Sequence, residues 1–318
     1  MLLKTRQQAS DGKKSNSTQE EYQTAQLAED TNRQQKTQRI FIFWLSDNKN
    51  MSIVHDIKFL HIQGAKRIAT EALHYLKDYS KEHGFGREFD EECAKLLKAR
   101  PTAVALHNVI QELKHEKSEK KIDELLKELH ESTRLIAQHG SKLIHKGWVI
   151  QTHCHSSEAM GIIEACKSKH ISVIAHETEP KEQGIITVKE LARKKIPVTL
   201  IIDSAAGFFM KDTDCLIVGA DALREEGVVN KIGTYLSALA AAEYGKPIYV
   251  AASRFKIDKR PKIEIEERPT IEVYHELKGV KIRNPAFDIT PWKYVTAVVT
   301  ESGVKKTKDI LRAIKNGD

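Results

Sequence analysis

Between Gly147 and Ala251 the chain alternates short apolar runs with longer amphipathic stretches: Trp148–Thr152, Ile171–Ala175, Val198–Ile202, Cys215–Val218 and Ile248–Ala251. Runs of four or five residues separated by helix-length segments are the signature of β-α-β units. Parallel strands need crossover connections, so helices come to cover both faces of the sheet. The alternation therefore predicts a mostly parallel sheet. Ligands in such sheets lie beyond the carboxyl ends of the strands, so functional residues are expected in the loops that follow these five runs.

Upstream the period changes. From Ile53 to about Lys146 apolar residues recur at three- and four-residue steps (Ile57, Leu60; Ile68, Ala72, Leu76; Ile122, Leu125, Leu126, Leu129, Ile136), which predicts helices. Pro101 should bound one of them and push Arg100 to an extended conformation. The charged run Lys114–Lys121 has the look of a solvated helix approach. Residues 1 to about 38 are polar, hold eight Gln and have no sustained period, so they bury too little to offset ordering entropy. The expected organisation is a disordered or misassigned extension over 1–50, with Met51 as an alternative start, a helical domain over 51–146 and a Rossmann-like α/β domain over 147–318.

Composition narrows the function classes. The 318 residues are 40% hydrophobic and 30% charged, with a mean hydropathy of −0.45. No run approaches the roughly 18 apolar residues that a bilayer span needs. Ile40–Leu45 is too short to span and lacks a cleavage site, so a cytoplasmic protein is expected. The four cysteines form no C-x-x-C pair and read as reduced thiols. A net charge of +7 is diffuse; it is weak evidence for nucleic acid and suits a small anionic substrate equally well.

The first strand leads into Thr152-His-Cys-His-Ser-Ser157. A cysteine where a strand meets a helix feels the positive end of the helix dipole, which favours thiolate. Cys154 is thus a candidate base or nucleophile, against the plainer alternative of a small buried residue beside a Ser156 or Ser157 helix cap. His153-Cys154-His155 has no second ligand cluster at metal-site spacing. After the second and third strands, Gly184 is expected to take a positive φ, and Ala205 to Gly207 to allow close backbone approach; together these turns suit phosphate. Asp221 follows the fourth strand and is either a shielded general acid with a raised pKa or a capping or ion-paired carboxylate. Gly227–Tyr235 is expected to open the next helix, whose N-terminus would hold an anion with Lys231. Neither G-x-G-x-x-G nor G-x-x-x-x-G-K-[ST] occurs, which argues against dinucleotide and P-loop sites.

In order along the chain stand Thr-His-Cys-His-Ser, Glu-Thr-x-Pro-x-x-x-Gly, Asp-Ser-Ala-Ala, Gly-Ala-Asp, Asn-Lys-Ile-Gly-Thr-Tyr and Asn284-Pro-Ala-Phe-Asp288-Ile-Thr-Pro291. This set, from about residue 53 to the C-terminus, resembles the superfamily that unites three groups: regulatory subunits of the translation-initiation exchange factor, methylthioribose-1-phosphate isomerase and archaeal ribose 1,5-bisphosphate isomerase. Thr-His-Cys-His-Ser with Asn-Pro-Ala-Phe-Asp is similar to the third branch; the methylthioribose enzyme typically has Thr-His-Cys-Asn-Ala-Gly, and initiation-factor-like members often lack the cysteine. The resemblance implies an aldose-ketose isomerase with Cys154 as proton-abstracting base and Asp221 as acid in ring opening. Sugar or phosphate contacts are implied from Arg100, Ser156, Asn230, Lys231, Lys256 and the backbone of Gly64 and Ala65. It further implies a phosphorylated sugar substrate, no metal or other cofactor in the chemistry, no membrane or direct nucleic-acid partner and a homo-oligomer (dimer or hexamer), and it admits a nucleotide effector.

Two motifs depart from the family pattern. Gln63-Gly-Ala-Lys66 stands where the isomerases usually have Arg-Gly-Ala-Gly, and Glu179 stands where they have arginine in Glu-Thr-Arg-Pro. A carboxylate near a bisphosphate would cost a few kcal/mol unscreened, on the order expected for close like charges. These departures keep a second reading open, a non-catalytic translation-factor-like regulatory subunit. Methylthioribose-1-phosphate isomerase is the third.

Overall fold

The computed structural model describes residues 52–275 and 277–316; the extension expected over 1–50 lies outside them. Five helices come first: α1 (Ile53–Lys58), α2 (Ala65–His83), α3 (Arg87–Ala99), α4 (Val104–His115) and α5 (Glu119–Ser141). Their stripes meet in one core, where Ile57, Ile68, Leu76, Leu96, Leu125 and Leu129 are buried. Leu60 falls just past the end of α1 with φ 62° and is only partly buried. α3 stops at Ala99 and Arg100 extends (φ −147°) ahead of the proline ring. Ser118 caps α5, its Oγ accepting the Lys121 N–H at 3.1 Å.

The second part contains β1 (Val149–Thr152), α6 (Ser157–Ala165), β2 (Ser172–His176), α7 (Gln183–Arg193), β3 (Val198–Ile201), α8 (Ala206–Met210), β4 (Cys215–Val218), β5 (Ala222–Leu223), β6 (Val228–Lys231), α9 (Thr234–Glu243), β7 (Ile248–Ala251), β8 (Phe287–Thr290), β9 (Ala297–Thr300), β10 (Gly303–Lys305) and α10 (Thr307–Asn316). Seven strands form one sheet in the order β10-β9-β7-β4-β1-β2-β3. Every pairing is parallel except β9 with antiparallel β10. All five expected strands are present in it. Ile150, Val173, Ile217 and Val299 are buried in the core on one face, and Leu216, Val250 and Val298 in the core on the other. The fold is thus α/β, with a helical region ahead of a Rossmann-like sheet. Helices and sheet belong to a single compact unit, Ile53–Asp318, so the division at 146/147 stands as a proposed subdivision within it.

The structure corrects one element. Gly227–Tyr235 does not simply open a helix: Val228–Lys231 is strand β6, the middle of a three-stranded antiparallel sheet β5-β6-β8, and α9 begins at Thr234. All four β6 residues are buried, and Asn230 lies opposite Asp288 in register. Two adjacent valines with a distant pairing partner favour strand, whereas a local reading finds only a turn before a helix. Among the described residues no helix is long and apolar enough to cross a membrane.

Candidate active site

The carboxyl ends of β1 and β4, the end of β6, the turn after β7 and the start of α2 converge on a cavity of about 290 Å³. Cys154, Ser156, Asp221, Asn230, Lys231, Lys256, Arg100, Gly64 and Ala65 all line it. Residues scattered over almost two hundred positions are brought together because parallel strands place their carboxyl ends on one edge of the sheet.

Cys154 sits directly after β1 with φ 67°, a left-handed conformation uncommon for a residue with a side chain. Its turn is held from the β2 side. The Cys154 N–H donates to Thr178 Oγ1 at 2.9 Å, and its carbonyl accepts from Thr187 Oγ1 at 3.0 Å. Thr178 is itself left-handed (φ 65°), and its N–H and that of Glu179 donate to the Asp203 carboxylate at 3.0 and 2.8 Å. Ser156 caps α6, accepting the Ala159 N–H. Proximity to that helix start does not make the thiol acidic: burial pushes Cys154 up to about 11, with Lys231 working against it. The expected thiolate is therefore corrected, since in this shielded cavity desolvation outweighs the helix dipole.

Asp221 lies in the turn between β4 and β5 and neither caps a helix nor makes an ion pair among the described residues. Burial raises its pKa, opposed by Lys256, Lys231 and Arg100. A carboxyl whose pKa is raised by burial is suited to deliver a proton. Of the surrounding cations, Lys256 pairs with Glu158 at 3.0 Å and Arg100 with Glu266 at 3.3 Å. Lys66 Nζ donates to Thr133 Oγ1 at 2.6 Å. Burial would raise the Glu158 carboxyl, but Lys256 and the Ser157 hydroxyl hold it below the usual range. The lining carries six basic side chains (Lys66, Arg67, Arg100, Lys231, Lys256, Arg268) against two acidic ones, Glu158 and Asp221. Four of the six are paired with carboxylates (Lys256–Glu158, Arg100–Glu266, Arg268–Glu272 and Arg67–Glu71), and the remaining positive charge favours an anion.

Three expectations about the loops change. Gly184 has no positive φ; it is glycine because α7 starts so close to β2 that a Cβ would fall 1.6 Å from the His176 carbonyl oxygen. The Asp203–Met210 loop does not line the cavity: Asp203 secures the Thr178 turn, and Gly207 approaches Ala240 of α9. The α9 N-terminus holds no external anion, because Asp288 Oδ2 already accepts the N–H groups of Gly233 and Tyr235 at 2.8 and 3.1 Å. Glu179 is also absent from the lining, so its carboxylate imposes no charge reversal on the cavity wall. Sequence reasoning missed Glu158, Gln183 and Arg268 as wall residues. Glu158 reads locally as an ordinary first-turn acid, and Arg268 arrives from a segment without periodicity.

Sheet, cavity and the thiol and carboxyl in its wall define an α/β protein with a basic ligand cavity beyond the strand ends. The chain belongs to the Initiation factor 2 subunit family, whose pattern matches residues 61–307. It is 39% identical over 271 residues to a ribose 1,5-bisphosphate isomerase of Archaeoglobus fulgidus, covering 78% of this chain and 86% of that one. It is 38% identical over 301 residues to a methylthioribose-1-phosphate isomerase of Acetivibrio thermocellus, covering 80% and 88%. Among solved structures, the translation initiation factor eIF-2B of Pyrococcus horikoshii OT3 superposes with a TM-score of 0.74 at 32% identity, covering 81% of this chain and 97% of that one.

Proposed function

We propose that the protein is a sugar-phosphate aldose-ketose isomerase converting ribose 1,5-bisphosphate to ribulose 1,5-bisphosphate. The observation that carries this reading is that Cys154 and Asp221 both line one cavity with six basic side chains. In the singly protonated pair, the minor form with Cys154 as thiolate and Asp221 as acid reacts, and Cys154 takes the C2 proton. The electron pair of that C–H bond forms C1=C2 while the bond from C1 to the ring oxygen breaks, and Asp221 delivers its proton to the departing oxygen. The enol then collapses: the thiol returns its proton to C1 and Asp221 takes the proton of the C2 hydroxyl, so both groups are restored. Arg100, Asn230, Lys231, Lys256, Ser156 and the Gly64–Ala65 backbone bind the substrate. Two phosphates suit this excess of cations better than one.

Incubation with ribose 1,5-bisphosphate should give ribulose 1,5-bisphosphate, and Cys154→Ala and Asp221→Asn should each lower kcat by about 100-fold or more, the usual scale for general acid–base groups. Undiminished turnover by Cys154→Ala overturns the mechanism. The methylthioribose-1-phosphate isomerase reading is favoured by the 38% identical relative and is tested by offering that sugar in the same assay. A folded wild type inert on both sugars points to the regulatory-subunit reading. Leu200, Ile202, Phe208 and Leu236 are exposed apolar side chains on β3, just after it, on α8 and on α9; they support self-association, which light scattering in solution tests. A cytoplasmic setting fits four free thiols.

A further inference from the structure

We infer that the buried His176–His153 pair is a positioning strut, which holds the strand end carrying Lys231 against the Cys154 turn and so sets the relation between these two site residues. The inference rests on the reading of Cys154 as the base. Both imidazoles are buried (1% and 2% exposed) and form a single chain of hydrogen bonds. Gln151 Nε2 lies 3.1 Å from the Ala206 carbonyl and 2.7 Å from His176 Nε2. The Thr213 hydroxyl donates to Gln151 Oε1 at 3.1 Å. The carbonyl takes one amide hydrogen, so the other goes to His176 Nε2, and that neutral ring carries its proton on Nδ1. His176 Nδ1 then donates to His153 Nδ1 at 3.1 Å, which leaves the His153 proton on Nε2, 2.8 Å from the Ile232 carbonyl. One proton order gives every imidazole nitrogen and the Gln151 amide nitrogen a partner, the Thr213 hydroxyl being shared between Gln151 Oε1 and the Phe209 carbonyl at 3.0 Å.

The order also explains why the pair stays neutral. Charging His153 would put N–H against N–H across the 3.1 Å contact with His176, and charging His176 would do the same against the Gln151 amide at 2.7 Å; burial drives the His176 pKa down to about 3 and that of His153 in the same direction. The cluster His153, His176 and Asp203 has metal-like spacing, its ligand atoms all within 4.8 Å. Hydrogen bonding accounts for it: the Nδ1 of His176 bears a proton, and Asp203 already accepts two backbone N–H groups.

The strut has leverage because it crosses between sheets. His153 follows β1 in the large sheet, while Ile232 follows β6 in the small one. Gly233 lies against the ring so closely that a Cβ would sit 3.1 Å from His153 Cε1 and Nε2. Lys231, one residue before Ile232, is the cation that opposes burial at Cys154; Asp221 and Asp203 push the thiol the other way. His153 is neutral and His155 contributes a peptide hydrogen bond. Displacement of the β6 end therefore removes the one favourable charge.

The test uses the full chain. Iodoacetamide alkylation at alkaline pH, followed on the Cys154 peptide by mass spectrometry, reports thiolate without any substrate. His176→Leu and Lys231→Met should each slow it severalfold, and the double variant should be no slower than either single one. His176→Asn, whose amide nitrogen overlays Nδ1, should stay within about twofold of wild type, whereas His176→Gln, which places its amide near Nε2, should not. With substrate, His176→Gln should lower kcat about tenfold and raise KM as well, because Lys231 also binds the substrate. Additive losses in the double variant, or equal behaviour of the Asn and Gln variants, overturn the strut. The Asn and Gln pair decides the matter if the Leu variant does not fold. A wild type inert on ribose 1,5-bisphosphate with the alkylation pattern intact overturns the functional reading alone.

Discussion

Replacing Asp288 by asparagine should remove a local contribution to stability whose pH dependence runs opposite to that of an ordinary helix-capping acid. A carboxylate at a helix N-terminus normally has a lowered pKa and stabilises the fold at neutral pH. Asp288 accepts two N–H groups at the start of α9, yet burial lifts its pKa from 3.8 to about 6. Its Oδ1 is buried without a hydrogen-bond partner. Desolvation therefore exceeds what two backbone hydrogen bonds return. Because the folded value is raised, the contribution is fully present below pH 3.8 and is lost as pH rises through about 6. At about 1.4 kcal/mol per pH unit the full loss is about 3 kcal/mol, or roughly 2 kcal/mol after allowance for partial exposure. The asparagine side chain would not titrate. The assay is urea unfolding of wild type and Asp288→Asn from about pH 4 to pH 8, with equal m-values as the control for a common denatured state. Wild type minus variant should fall by about 2 kcal/mol over that range. A flat difference, or one that rises with pH as it does for an ordinary N-terminal carboxylate, refutes the reasoning.

Three further outcomes are expected. With Asp221 raised and Cys154 near 11, the pair is singly protonated between the two values; kcat/KM should therefore rise through an acid limb above the usual carboxylate range and fall only near pH 11, as a pH–rate series will show. Lys256→Met leaves Glu158 charged and unpaired in the interior; it should cost about 3–5 kcal/mol in denaturant unfolding, with Glu158→Gln in the same chain recovering much of it. Gly184→Ala forces a methyl into the His176 carbonyl; the shift of α7 away from β2 should cost about 3 kcal/mol or more, visible as a lowered Tm.

Much of this molecule is legible in one dimension. The five parallel strands announce themselves as short apolar runs, because strands covered on both faces need no polar alternation. Their carboxyl-end loops single out Cys154 and Asp221. The helical stripe of α2 and α5 is equally plain. Strands β6 and β8 are not, since their pairing joins Asn230 to Asp288 across more than fifty residues and no local signal carries it. Gly184 and the Asp203 loop take the wrong purpose in a sequence reading for the same reason: a glycine demanded by a neighbouring carbonyl looks, in sequence, like one demanded by φ.

The amino-acid order by itself determined the α/β class, the edge of the sheet where chemistry belongs and the residue types able to perform it. Those follow from periodicity and from the short-range geometry of strand ends. The tertiary structure alone decided the electrostatics. That the Cys154 thiol is pushed up rather than down depends on the neighbours that partly bury it, and that Asp288 occupies the α9 N-terminus depends on β8 lying beside β6. Desolvation and long-range pairing are sums over neighbours distant in sequence, and only the folded chain brings those neighbours together.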